Sequence, residues 1–314
     1  MKVVIVGMGA IGKERLRACE ELGVEIAGIV EVKESLTDYP AFETITDAID
    51  KTNPDWIFVC TPHHVTCNIV KQAITAGKNV LVEKPLGRTV SECREVTDYI
   101  INERVCVGFN YRYYLGVNML LNDVKSGKFG ELISVNMVLG LGDGPGSEKT
   151  WRLDPEKAGS GALLDPGIHL IDLAMIISNN TLYSIDGEAN NSFWKTGIEE
   201  EVHLLARSKL NTIFNIQASK VRWRNTFRIE VNGTDGYGIV EGRNRNYGYQ
   251  TYRTGVRWGW LTGKSQKESE SIEVNYDGED SFIEETRAVL FGTEGIQPGT
   301  WQDNLRCLEF IERV

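Results

Sequence analysis

Lys84 stands in NVLVEKPLG (79–87), between Glu83 and Pro85, at the end of an apolar run, Val80–Val82, with the composition of a buried strand. A lysine delivered to the carboxyl edge of a buried sheet can hold a hydroxyl oxygen or relay its proton, and the proline after it restricts the backbone that carries it. A second cluster, GSGALLDPGIHLID (159–172), offers the matching groups. Asp165 before Pro166 reads as the N-cap and first residue of an apolar helix, IHLIDLAMII, with His169 one turn in. Because helical side chains lean toward the N-terminus, the His169 imidazole is expected to approach the Asp165 carboxylate, with Asp172 further along the same side. An imidazole polarised by a carboxylate can take a proton near neutral pH. Taken singly, these residues would be a surface ion pair, a helix cap and a core histidine; taken together they make a proton-transfer apparatus.

Other chemistry in the chain needs backbone rather than side chains. Gly7, Met8, Gly9, Ala10, Ile11 and Gly12 form a GxGxxG turn between the apolar strand VVIV and a helical stretch. Glycines at these places permit a tight turn, close approach of backbone to a pyrophosphate, and close helix–strand packing, while the helix N-terminus supplies N–H donors. A second strand ends at Glu31, nineteen positions past Gly12, where a carboxylate can accept from both ribose hydroxyls of adenosine and would repel a 2′-phosphate. NAD is therefore the predicted cofactor, with Lys33 nearby leaving NADP open. Thr61, Pro62, His63 and His64 follow a third strand. Ligands of an open parallel sheet lie outside the carboxyl ends of its strands, so Thr61, Pro62 and His64 join Glu83 and Lys84 as expected cofactor-lining residues. Adjacent histidines point in different directions and no third ligand stands at suitable spacing, so no metal site is expected. Beside the positive ring of an oxidised nicotinamide, and partly desolvated, Lys84 is expected to lose its proton more easily than a free lysine.

Two kinds of sheet are needed to position these groups. From 1 to about 118, short apolar strands alternate with helical stretches, the pattern of right-handed βαβ crossovers and a parallel sheet. From 119 to 314 a helix, VNMLLNDVKSG, leads into strands of alternating polarity, such as EEVHLLARS and FRIEVNG, with turn signals at Asn232-Gly233 and Asp235-Gly236. These predict a mainly antiparallel sheet with one covered face. The last stretch, about 300–314, has apolar residues at helical spacing and is expected to pack back on the first domain.

At 314 residues, 41% hydrophobic and 25% charged, the chain has the length of about two domains and an ordinary globular composition. MKVVIVGMGAIG runs directly into a strand pattern, and no apolar stretch approaches the roughly 20 residues of a membrane span, which predicts a cytoplasmic protein with no membrane partner. Six scattered cysteines without a CxxC pair read as reduced core thiols. A net charge of −10 argues against nucleic acid as a partner. One window departs from that balance: between Ser219 and Lys264 stand nine basic residues (Lys220, Arg222, Arg224, Arg228, Arg243, Arg245, Arg253, Arg257, Lys264) against three acids. It is either a solvated sheet face or a collar for an anionic substrate.

The glycine turn, the TP turn, EKP, GFNYR (108–112), WRLDPEKAGSGALLDPGIHLIDL and the terminal helix together resemble the glucose-fructose oxidoreductase/inositol dehydrogenase (Gfo/Idh/MocA) family across nearly the whole chain. The resemblance implies an α/β protein: an N-terminal Rossmann domain with a doubly wound parallel sheet, then an α+β domain whose large, open, mainly antiparallel sheet commonly mediates homodimers or homotetramers. It also implies NAD(P)-dependent oxidation or reduction of a sugar, cyclitol or sugar-nucleotide alcohol. By position Lys84 matches the family's catalytic lysine, Asp165 its substrate-binding aspartate and His169 its acid/base histidine, while Asn110, Arg112, Trp151 and Arg152 fall in stretches that line the substrate pocket in relatives. Thr66 stands where relatives often carry a histidine. With the Arg-rich window added, the substrate leans toward a nucleotide sugar or other anionic sugar. Rival readings are a glycosidase that uses NAD transiently and a non-catalytic dinucleotide sensor; a sensor has no need of a proton-transfer pair.

Overall fold

The computed structural model describes residues 1–31, 38–256, 270–274 and 280–314. Lys33, Arg257 and Lys264 lie outside the described residues. In chain order the first elements are β1 (Lys2–Val6), α1 (Ala10–Glu21), β2 (Glu25–Val30), β3 (Ala41–Phe42), α2 (Ile45–Thr52), β4 (Trp56–Val59), α3 (His63–Thr75), β5 (Asn79–Glu83), α4 (Val90–Thr97) and β6 (Val105–Gly108). Then come α5 (Leu115–Lys125), β7 (Leu132–Gly142), α6 (Pro155–Ala158), α7 (Gly167–Ile177), β8 (Leu182–Asn190), β9 (Glu201–Ser208) and β10 (Ile213–Ser219). The last are β11 (Val221–Gly233), β12 (Gly236–Glu241), β13 (Gln250–Val256), β14 (Glu270–Val274), α8 (Asp280–Phe291), β15 (Gly299–Thr300) and α9 (Trp301–Ile311). Two compact units result: Met1–Asn110 with Glu156–Gly159 and Glu279–Glu312, and Tyr111–Pro155 with Ser160–Gly278 and Arg313–Val314.

The first unit is built on a sheet of order β15-β6-β5-β4-β1-β2-β3. Among the described pairings β1 to β6 are parallel throughout, and only β15 runs against its neighbour. Strands covered on both faces need apolar residues at every position. Accordingly Val3, Val4 and Ile5, Ile57, Phe58 and Val59, and Val80 and Val82 are shut off from solvent. The register aligns Val30, Val6, Val59, Val82 and Val107 in one row across five strands. Burying such a side chain stabilises the fold by about 1.5–3 kcal/mol each. One residue beyond that row stand Glu31, Gly7, Cys60, Glu83 and Gly108, so the strands end together at a level carboxyl edge. Helix starts are fixed locally: Thr44, Thr89 and Thr300 accept from the backbone N–H three residues on, opening α2, α4 and α9.

The second unit carries a sheet of order β14-β13-β12-β11-β7-β10-β9-β8. Among its described pairings only β7 with β10 is parallel. Val135, Met137 and Leu139 of β7 turn inward, and Ser134, Asn136 and Val138 between them are half-buried on the other face. α7 packs on β7 and β10 with nearly every residue buried, as a helix apolar on all sides must be.

Candidate active site

The level edge of the first unit presents a succession of groups. After β1, Gly7 has φ +91° and its N–H donates to Val30 O, so the chain turns sharply over the strand ends. A Cβ on Gly7 would lie 2.8 Å from Cys60 O, and one on Gly12 would lie 2.0 Å from Gly7 O; both positions exclude any side chain. Gly9 and Ala10, by contrast, are exposed, and a Cβ on Gly9 would meet nothing within 4 Å. Gly9 caps α1 without a side-chain acceptor, and the first turn of α1 holds no acid, so its N–H groups face outward for an anion. Met8 N–H donates to Glu31 Oε2 at 2.7 Å, which fixes the Glu31 carboxylate beside the glycine turn. Ile11, half-buried, starts the packed side of α1. A tight turn, an open helix terminus and an adjacent carboxylate fit a dinucleotide.

Further along the edge, Pro62 caps α3 and the Thr66 hydroxyl donates to Pro62 O at 3.1 Å while meeting the Thr61 hydroxyl at 3.1 Å. Thr66, buried, thus ties the Thr61-Pro62 turn to its helix. His64 is exposed, whereas His63 is buried with Nδ1 3.1 Å from Ala158 O. Glu83 turns back into the fold: its carboxylate accepts from Arg15 Nε at 2.7 Å. Arg15 is fully buried and also pairs with Glu285 of α8, and both acids hold its guanidinium protonated well above the usual range against the opposing effect of its burial. Lys84, next in the chain, begins the loop that leaves the sheet, through a cis bond to Pro85. That loop is gripped by Asn304 of α9, which donates to Leu86 O at 2.9 Å and accepts from Leu86 N at 3.1 Å. Nothing in the sequence pattern pointed to Arg15 or Asn304, since each acts on a partner more than sixty residues away. Asn110 is buried and donates to Ser281 Oγ at 3.0 Å.

In the second unit the expected cap at Asp165 is not formed. α7 begins at Gly167, with Pro166 as its N-cap and no side-chain bond. The reason lies in the residues before it: Asp165 N–H donates to Gly161 O and Gly167 N–H to Ala162 O, so 161–167 closes a turn of its own ahead of the helix. Glu199 staples that turn, accepting from Gly161 N at 2.8 Å, Leu163 N at 3.0 Å and the Ser160 hydroxyl. The Asp165 carboxylate stands 3.9 Å from Lys220 Nζ and 4.0 Å from the Arg152 guanidinium, which itself lies over the Trp151 ring. Lys220, only 2% exposed, also faces Asp143 at 3.6 Å and donates to Asp165 O at 3.2 Å. His169, in the first turn of α7 and buried, stacks on Tyr111 with ring centroids 3.9 Å apart and planes 10° from parallel. Asp172 does not join the Asp165–His169 side as expected: it binds the buried Arg112 through Nε at 2.8 Å and a second, shorter contact. That pairing makes Arg112 part of the scaffold.

The basic window divides on inspection. Arg228 pairs with Glu230 and Glu241, and Arg253 with Glu241. Arg243 is surrounded by Tyr111, Tyr114 and Tyr247. Among the described residues Arg222 and Arg224 make no ion pair. The six cysteines are unbridged, and burial pushes the Cys19 and Cys67 thiols up to about 12 and the Cys93 and Cys106 thiols to about 11, out of reach as nucleophiles.

A profile described as the oxidoreductase family with an NAD-binding Rossmann fold matches residues 1–111, and one for the GFO/IDH/MocA C-terminal domain matches residues 120–238. The chain belongs to the GFO/IDH/MocA family. Its first unit is the family's NAD-binding Rossmann fold. Similar proteins include levoglucosan dehydrogenase of Pseudarthrobacter phenanthrenivorans, 30% identical over 49% of this chain and 39% of that one. Glucose-6-phosphate 3-dehydrogenase of Bacillus subtilis is 28% identical over 55% of this chain and 52% of that one. The matches therefore span about half the length of these relatives or less. Among solved structures, levoglucosan dehydrogenase in complex with NADH and levoglucosan superposes with a TM-score of 0.86 at 19% identity, covering 99% of this chain and 95% of that one. An inositol dehydrogenase homolog complexed with NAD+ from Azotobacter vinelandii gives 0.81 at 16% identity, covering 100% and 94%. These likenesses show that both units of this family member share the fold. No helix among its described residues is long and apolar enough to cross a membrane.

Proposed function

We propose that this family member is an NAD-dependent oxidoreductase that interconverts a secondary alcohol and a ketone on a sugar or cyclitol. The observation that carries the reading is the level carboxyl edge of the first sheet, where Lys84 follows β5, the open glycine turn follows β1 and Glu31 follows β2, with β4 between the first two. Relatives named for levoglucosan, glucose 6-phosphate and inositol support the substrate class. NAD, when bound, supplies the hydride acceptor. The backbone of Gly7–Gly12 and the first turn of α1 hold its pyrophosphate, and Glu31 favours an unmodified ribose over a 2′-phosphate. Thr61, Pro62 and His64 line the same edge. Asp165, partly exposed beside Lys220 and Arg152, accepts a hydrogen bond from a substrate hydroxyl. Lys84 holds the reacting oxygen, and His169 takes its proton on oxidation or returns it on reduction. Much of the rate comes from orienting the carbinol carbon.

Arg222 and Arg224, just past Lys220 in β11, support a finer reading in which the substrate bears an anionic group such as a phosphate or a nucleotide diphosphate. The half-exposed face of the second sheet supports a homo-oligomer: it mixes Val138, Leu205, Ile213 and Ile239 with the Arg228–Glu241–Arg253 network. Light scattering of the purified chain tests that assembly. For the activity, sugars, cyclitols and their phosphorylated and nucleotide forms are offered with NAD and followed by NADH absorbance. Lys84→Ala is expected to bind NADH within a few fold of wild type and to lose most turnover; full turnover would remove the role given to Lys84. Release of free sugar from a glycoside without net NADH would replace the dehydrogenase reading by transient oxidation.

A further inference from the structure

Tyr111 opens the second unit and was not among the residues marked for chemistry, yet it is the wall against which the His169 imidazole lies flat. Its ring is boxed in from other sides as well. Tyr114 meets it edge-on at 5.0 Å and 74°, and Phe227 of β11 does the same at 5.8 Å and 86°. The Arg243 guanidinium sits 5.2 Å from the Tyr111 centroid and 4.0 Å from that of Tyr247, and donates to the Tyr114 hydroxyl at 2.8 Å. Arg243 makes no ion pair among the described residues, and its Nε is shut off from solvent without a hydrogen bond. A cation that forgoes an acid in favour of three phenol rings serves those rings: cation–π attraction holds them in place.

Resting on the proton-transfer role proposed for His169, we infer that Tyr111 is a positioning residue whose ring, clamped by Arg243, sets the plane of the His169 imidazole and so aims its ring nitrogens. An imidazole accepts a proton only in its own plane. A side chain free to turn about its last bond would spend little of its time aligned. A parallel ring at 3.9 Å restricts that turning through its face alone. The Tyr111 hydroxyl makes no hydrogen bond among the described residues, so the ring face is the part that matters.

The test combines kinetics with proton–carbon NMR of the histidine ring signals in the full chain. There are four histidines, and His169→Gln assigns the one in question. In the wild type the His169 ring protons are expected well upfield of the other histidines, displaced by the Tyr111 ring current; Tyr111→Phe keeps that displacement and Tyr111→Leu abolishes it. With a substrate found by the panel above, Tyr111→Phe is expected to keep kcat within about twofold, and Tyr111→Leu to lower kcat about a hundredfold with KM changed by less than about threefold. A purely structural role would instead lower the active fraction without separating Phe from Leu in the folded protein. Undisplaced His169 resonances in the wild type, or a folded Tyr111→Leu with wild-type kcat, overturns the inference. If no substrate turns over, the resonances alone decide it, and the dehydrogenase reading falls separately; if Tyr111→Leu does not fold, the wild-type resonances and Tyr111→Phe decide it.

Discussion

Glu83 and Asp165 are both acids that their sequence context sends toward a ligand, and the fold holds them in opposite ways. Glu83 lies 2.7 Å from a guanidinium that is completely buried, and that guanidinium also carries Glu285, whose side chain is equally buried. Asp165 keeps 22% of its side chain in solvent, with its two cations at 3.9 and 4.0 Å, the outer limit of an ion pair. Attraction between charges weakens with distance and with solvent, so the Glu83 pair is strong and committed while the Asp165 pairs are weak and exchangeable. An acid saturated by a buried cation pins elements together: here Arg15 joins α1, the end of β5 and α8. An acid whose cations stand at the edge of reach, with part of its carboxylate in solvent, is not committed to those cations as Glu83 is.

Removing the cation from each site separates the two roles most sharply. Arg15→Met leaves the buried Glu285 and the half-buried Glu83 without their counter-charge, and is expected to destabilise the fold by about 3–5 kcal/mol, read from the urea midpoint. A midpoint equal to wild type would show that the pair is not the anchor described. Asp165→Asn should do the reverse: stability within about 0.5 kcal/mol, because the site is partly solvated, but turnover lower by about a hundredfold, through loss of the carboxylate proposed to hold the substrate hydroxyl. If Asp165→Asn unfolds the chain as Arg15→Met does, the distinction collapses. Asn304→Ala comes next. Losing both bonds to Leu86 should lower stability by about 1–3 kcal/mol and, by loosening the loop that starts at Lys84, lower kcat about tenfold with little change in KM.

The same contrast explains what could be read from the residues alone. Continuous apolar runs such as VVIV and WIFV, alternating with helical stretches, read as strands covered on both faces, and the glycine turn belongs where a parallel sheet presents its carboxyl edge, so residues 1–108 of the first unit were largely legible. Alternation gave most strands of the second sheet. The helix at Asp280–Phe291 went unread, because its buried face is set by a partner, Arg15, that lies 270 residues away from Glu285. At Asp165-Pro166 the local rule for a helix start was outweighed by the backbone bonds of 161–167 and by Glu199, which no spacing announces. Sequence proximity likewise joined Asp172 to Asp165 and His169, whereas the fold gave Asp172 to Arg112. Charges were harder than hydrophobes throughout, since a cation within a basic window can be spent on an acid from a neighbouring strand, as Arg228 and Arg253 are on Glu241.

A third acid combines a close pair with partial exposure. Glu92 in the first turn of α4 meets Arg88 and accepts from Arg88 N at 2.8 Å, with 26% of its side chain exposed. Partial burial alone would raise its pKa, but the Arg88 hydrogen bonds and charge outweigh that and hold the carboxyl below its ordinary range. A carboxylate whose folded pKa is depressed stabilises the native state above the unfolded value, about 4.3, and loses that contribution as pH falls through the folded value. Solvent screening limits the effect, so Glu92→Gln is expected to lower stability by only about 0.5 kcal/mol at pH 7. The difference from wild type should shrink steadily as the pH is lowered from about 5 toward 3 in matched urea titrations. A difference as large as that of Arg15→Met, or one that grows on acidification, would mean that burial does not rank these acids, and the contrast between Glu83 and Asp165 would lose its physical basis.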